Sequence, residues 1–226
     1  MTIDLEIKKK IINDWQNAFP QLSVFGQNKL YKILGPVIIG LELIKLPGVE
    51  KYRPHFVMYP LWKKDVKTCL DYPIILKEFY TKKGLQYNIS YAASALFVEA
   101  VDSVQKQSPL AFGGDIYLNK IFAIINEYSK TPPLSAAPYS YLQADLQKAR
   151  FEIAMYINTS EAHNVLQEIE KITWDVNHFK ACGIDVKVWL QRLQEKVNNR
   201  DGLLYQIEKN KQEKKISKLR KSELVA

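Results

Sequence analysis

Five side chains suited to contacting another molecule are gathered in the stretch KYRPHFVMYPLW: Tyr52, Arg53, His55, Tyr59 and Trp62. Tyr, Trp and Arg dominate the energetically important positions of protein interfaces because they join a large apolar body to a polar handle. On a strand, a period of two puts Arg53, His55, Val57, Tyr59 and Leu61 on one face. Pro54, Phe56, Met58, Pro60 and Trp62 take the other face, which is the drier one. The five residues thus stand on or beside one strand and mark a surface for a protein partner. The competing expectation for Tyr59 and Trp62 is burial beneath a helix, the ordinary fate of aromatic residues on a sheet.

A second chemistry needs carboxylates. Asp65, Asp71, Glu78, Glu99 and Asp102 are candidates for an enzymatic site completed by His55. Glu99 and Asp102, three apart, share a helical face. That face lies opposite the Phe97, Val101 and Val104 stripe, so solvent exposure is the plain expectation. The histidines His55, His163 and His178 have no metal-ligand spacing, and Cys69 and Cys182 form no CxxC; both thiols are expected to be buried. No GxSxG elbow is present, and Gly113-Gly114, ahead of a helix expected to open at Asp115, lacks the rest of a phosphate-binding motif. No cofactor and no metal are implied.

A third chemistry is electrostatic. From Glu208 onward, Lys209, Lys211, Lys214, Lys215, Lys218, Arg220 and Lys221 face only three acidic residues, so this segment carries half of the net charge of +8. Such an arm suits nucleic acid or an acidic partner. Ile216 and Leu219 are the only aliphatic residues in KNKQEKKISKLRK, too few to offset ordering costs of roughly 1–2 kcal/mol per residue. The expectation is an exposed, fraying or disordered tail over 208–226.

The elements that position these residues centre on 29–62. Three apolar runs, Leu30–Leu34, Val37–Leu46 and His55–Leu61, are divided by Gly35-Pro36 and by Pro47-Gly48, the pattern of an antiparallel meander. β-branched and aromatic residues fill the runs, and the second, apolar on both faces, belongs in the middle. Pro54 and Pro60 lack ladder donors, so the third run is an edge or is paired on one side there. A helix over 3–18 precedes the meander, with Ile7, Ile11, Trp15 and Phe19 inward and Pro20 as its stop. Asp71 and Pro73 signal a short helix up to Gly84, with Ile75, Leu76, Phe79 and Tyr80 inward. LQYNISY alternates as a fourth strand, and there is room for another near Ser23–Phe25. From residue 92 the period is helical throughout: 93–107, 115–128, 139–158, 160–179 and 184–198.

The order α-β-β-β-α-β is shared with the PD-(D/E)xK nuclease core, but the third strand has no carboxylate, and Glu42 and Lys45 fall on opposite faces. Double-stranded-RNA-binding modules share its first five elements, yet the Lys-rich start of their second helix is missing; Lys82 and Lys83 lie at its other end. The fold class is therefore α+β, a small antiparallel sheet with flanking helices followed by a mainly helical C-terminal half. Its expected parts are an α+β domain over 1–130, a helical bundle or hairpin over 139–207 packed on it, and the basic tail.

With 226 residues and 47% hydrophobic content, the chain can bury a sizeable core. No apolar run is long enough to span a membrane, and charges interrupt the N-terminal segment where a secretory peptide needs an apolar core, so a cytoplasmic protein is expected. The functional expectation is a non-enzymatic, soluble protein-binding module, of which a toxin-neutralising immunity protein is one form. The alternatives are the enzyme built from scattered carboxylates and His55, and a weak nucleic-acid binder acting through the tail.

Overall fold

The computed structural model describes residues 4–92 and 95–226, so positions 3 and 93, where two helices were expected to begin, lie outside the described residues. The meander forms as the breakers dictate. β1 (Ser23–Gly26), β2 (Lys29–Leu34), β3 (Val37–Lys45), β4 (Lys51–Pro60) and β5 (Ile75–Glu78) lie side by side in chain order, antiparallel throughout. The apolar second run is β3, central and buried along most of its length. β1 occupies the stretch near Ser23.

Pro54 and Pro60 explain how the outer edge of β4 is used. β5 pairs with His55 to Met58, and β6 (Ile89–Ser90) pairs with Lys51 and Tyr52. Pro54, which has no N–H to offer, falls in the gap between the two partners, and Pro60 lies beyond β5. Both are paired on the β3 side alone, with Leu43 and Val37. Arg53 closes the gap. Its Nε donates to the Tyr87 carbonyl at 2.9 Å and its guanidinium reaches Glu78 at 3.2 Å and Asn88 at 3.3 Å.

The helix expected over 71–84 is not formed; its core is β5. The cap signal acts earlier, where the Asp65 carboxylate accepts from the Thr68 N–H at 2.8 Å and opens α2 (Val66–Cys69). Cap and helix propensity together are worth about 1–2 kcal/mol, less than ladder pairing along β4 plus burial of Ile75 and Phe79. Leu76 and Tyr80, expected inward, are exposed. LQYNISY contributes only the short β6 and a bridge between Gln86 and Tyr80.

α1 (Leu5–Ala18) ends before Pro20 as expected, with Ile12, Trp15 and Phe19 as its buried stripe and Ile7 exposed. α3 (Phe97–Gln107), α4 (Leu118–Ser129), α5 (Tyr141–Ile157), α6 (Thr159–Glu170), α7 (Val176–Ala181), α8 (Val186–Val197) and α9 (Arg200–Lys211) make up the helical part. The expected helix over 160–179 is broken into α6 and α7. Trp174 turns into an aromatic cluster with Phe179 and Trp189, and the Asp175 carboxylate restarts the helix by accepting from the N–H groups of Asn177 and His178. Buried residues from Ile12 to Leu224 join in one cluster. Among the described residues no helix is long and apolar enough to cross a membrane.

Strand structure returns where helix alone was expected. β7 (Ile116–Tyr117) replaces the start of the helix placed at Asp115, and β8 (Arg220–Ser222) and β9 (Leu224–Val225) lie in the tail. β8 runs parallel to β2, taking the edge of β2 from Lys32 to Leu34 that β1 leaves open, while β9 pairs with β7. Ile216, Leu219 and Leu224 are buried. The tail is thus docked, because a segment with few apolar residues gains ladder partners on both sides. The Arg220 N–H donates to Ser23 Oγ at 3.0 Å, the Gly35 N–H to the Ser222 carbonyl at 3.2 Å and the Glu223 N–H to Asp115 Oδ1 at 3.0 Å. Lys32, itself buried, bonds Ser222 Oγ and the Phe112 carbonyl, and burial lowers its affinity for its proton.

Candidate functional site

Of the five residues expected to form a protein-binding strand face, Tyr52, Tyr59 and Trp62 are buried and Arg53 and His55 are half-buried. Tyr52 is buried and its hydroxyl accepts from the Trp15 indole N–H at 3.1 Å, with burial pushing its pKa up to about 12. Tyr59 is buried and donates to Glu42 at 2.9 Å. Trp62 walls a cleft of about 270 Å³ with Asp71, Asp145 and Glu152, its own indole N–H enclosed without a partner among the described residues; Glu152 is held by Lys196. Arg53 and His55 remain partly open, but Arg53 is committed to joining β5 to β6. The packing of aromatic residues on a two-sided sheet outweighs their display.

What the strand register brings together instead is a row of charge across the sheet. Lys29, Glu42, His55 and Glu78 are successive cross-strand partners on β2, β3, β4 and β5. Glu42, only 8% exposed, accepts from Tyr31, Tyr59 and Lys29, which offsets the cost of burying its charge. Burial first, and then the neighbouring carboxylate, push the Tyr31 and Tyr59 hydroxyls well above the ordinary tyrosine range. These phenols are locked donors.

The row gives stability an expected dependence on pH at both ends. Burial holds His55 below the ordinary histidine value. The unfolded chain therefore takes up that proton first as pH falls through about 6.5, and stability declines from about pH 7 towards pH 5. His55→Gln is expected to flatten this decline, read as thermal midpoint against pH; an unchanged slope would show that His55 does not contribute. Tyr31 and Tyr59 act in the opposite direction. Their contribution is full below about pH 10, the value in the unfolded chain, and is lost as pH rises above it towards their folded values.

The carboxylates Glu99 and Asp102 do not meet His55. They sit on the open face of α3 beside Thr81, Lys82 and Lys83, with Asp102 paired to Lys106 at 2.8 Å and Glu99 3.4 Å from the Tyr87 hydroxyl. Asp65 caps α2, and Glu78 pairs with Arg53. His163 is exposed, and His178 accepts from the Tyr141 N–H. Cys69 is buried and its thiol is pushed up to about 11 by that burial, whereas Cys182, expected to be buried, is exposed at the turn after α7. Among the described residues no group of three or more His, Cys, Asp or Glu side chains is placed to hold a metal ion.

A groove that the sequence did not announce lies along the outer edge of β5. It has a volume of about 810 Å³ and runs between β5 and α4, lined by Leu76, Tyr80, Pro109, Ile124, Tyr128 and Pro132. Along this edge every second residue directs its backbone outward. At Leu76 the Tyr128 hydroxyl contacts both groups, accepting from the N–H at 3.4 Å and donating to the carbonyl at 3.3 Å. At Tyr80 the Gln107 amide does the same, at 3.0 Å and 2.7 Å. Two side chains thus stand where a further strand would pair, and Glu78 lies between them in the same register. At the rim Glu78 is paired with Arg53, and Glu127 with Lys130. Lys77 and Lys120 have no ion-pair partner among the described residues. In the sequence Tyr128 only closes the helical segment over 115–128, and the strand it contacts lies within the stretch expected to be helix.

The chain is an α+β protein in which β1 and the C-terminal strand β8 share one edge of β2, and side chains beside an apolar groove occupy the outer edge of β5. Comparison with protein-family models, with curated proteins and with solved structures finds no match to it.

Proposed function

We propose that the protein is a non-catalytic protein-binding module and that the groove between β5 and α4 receives an extended segment of its partner. The observation that carries this reading is the substitution of Tyr128 and Gln107 for a neighbouring strand at Leu76 and Tyr80. A peptide laid beside an edge strand gains main-chain hydrogen bonds there and places alternate side chains in flanking pockets. Here the flanking surface is the apolar lining of the groove, and the contacts of Tyr128 at 3.3–3.4 Å are long ones to displace. Lys77, which donates to the Gln107 carbonyl at 3.3 Å, and Lys120, both without an ion-pair partner among the described residues, favour carboxylates in the incoming segment.

Selection of short random peptides on the immobilised full chain tests this. Enriched sequences are expected to alternate apolar with acidic or polar residues, and to lose binding by roughly tenfold or more when Ile124→Asp places a charge in the groove. Tyr128→Phe, which removes only the competing hydroxyl, is expected to tighten binding a few-fold. Enriched peptides that bind the Ile124→Asp protein equally well would place the partner elsewhere. Self-association of the Tyr128→Phe protein without any gain in peptide affinity would make the hydroxyl a guard against edge-to-edge pairing instead.

A further inference from the structure

The docked tail turns a run of charge into a fixed shape. Ile216, Leu219 and Leu224 face inward, while Lys214, Lys215, Lys218, Arg220 and Lys221 are exposed. None of these five forms an ion pair among the described residues. Lys211, by contrast, is engaged by Glu208 at 2.7 Å and lies over the Tyr156 ring. The backbone that carries the cations is folded locally by the bonds from the Ser217 N–H to the Glu213 carbonyl and from the Leu219 N–H to the Ile216 carbonyl, and is anchored by the buried Ile216 and Leu219 and by the pairing of β8 with β2. Like charges so held cannot drift apart to relieve their repulsion.

We propose that this ridge, from Lys214 to Lys221, binds the phosphate backbone of a nucleic-acid duplex. Successive strand residues point to opposite faces. Arg220, in register with Lys32, and Lys221, in register with Ile33, therefore flank the sheet edge on its two sides. Cations on both flanks of an edge suit two rows of phosphate bordering a groove. Between residues 206 and 226 the sequence has no aromatic side chain on which unpaired bases would stack, which favours a duplex over a single strand. Contacts of this kind release counterions and carry no base sequence. The ridge lies on the segment closing the β2 edge, and the proposal does not depend on the groove beside β5.

The test is fluorescence anisotropy of a labelled DNA duplex of mixed sequence, titrated with the full chain across a range of salt. Five phosphate contacts give a slope of log affinity against log salt of about −4.5, or roughly a 500-fold loss between about 50 and 200 mM salt. The variant K214Q/K215Q/K218Q is expected to lose about 2.7 of that slope. A charge-matched variant, K9Q/K10Q/K187Q, changes exposed lysines away from the ridge and is expected to keep the slope. If the triple ridge variant is poorly folded, Lys218→Gln alone is expected to lose about 0.9. No binding at about 50 mM salt, the range where such contacts are strongest, would overturn the proposal. Equal weakening by the two triple variants, or tighter binding of a single strand of equal length, would do so as well.

Discussion

Removal of residues 208–226 is expected to unfold the protein or to lower its thermal midpoint by more than about 10 °C. The segment buries Ile216, Leu219 and Leu224, each worth about 1.5–3 kcal/mol when fully covered, against a total stability of about 5–15 kcal/mol for a typical domain. Its loss also strips Leu61 and Lys63 of the Asn210 amide, which donates to their carbonyls at 2.8 and 2.7 Å. Lys32 would keep the Phe112 carbonyl but lose Ser222 Oγ. Leu224→Ala isolates the packing part and is expected to cost about 2–5 kcal/mol. A shortened chain with an unchanged midpoint would mean that the segment does not dock in solution.

Gly40→Ala is expected to cost about 3 kcal/mol or more, lowering the midpoint by about 6–12 °C. A Cβ at Gly40 would stand 1.9 Å from the Leu30 carbonyl oxygen and 2.9 Å from the Tyr31 Cα, both of them backbone atoms. β2 cannot retreat freely, since Leu30 is paired with Val24 on one side and Leu41 on the other. Moving it would also pull Tyr31 from Glu42, so the near-ultraviolet dichroism of the tyrosines should change with the midpoint. Gly48→Ala provides the contrast. There the added atom meets nothing within 4 Å, and the cost is limited to the left-handed backbone at φ +71°, about 1–2 kcal/mol. Equal losses at the two positions would refute the close approach at Gly40.

The meander was legible because its information is local. β-branched runs cut by Gly35-Pro36 and Pro47-Gly48 set strand, turn and central position within a few residues, and the prolines of β4 foretold where its outer edge would be unpaired. The helical segments that became α4, α5 and α8 were legible for the same reason, since a period near 3.6 needs no knowledge of the partner. Residues 71–84 were misread where a local cap signal competed with an open strand edge, and an edge is a property of another part of the chain.

The site shows the same division. Residue types alone nominated Tyr52, Tyr59 and Trp62 for display, but which face of β4 is covered depends on α1, α5 and the C-terminal segment, and all three residues are buried. The pairing of β5 beside α4, which places Tyr128 and Gln107 on a strand edge, and the docking of β8 on β2, which gives the basic run a fixed shape, join residues far apart in the chain. The sequence by itself determined the sheet's centre and most helical segments, through steric preference and periodicity within each segment. Only the tertiary structure decided the edges, because the free energy of an open backbone edge is satisfied by whichever distant segment reaches it.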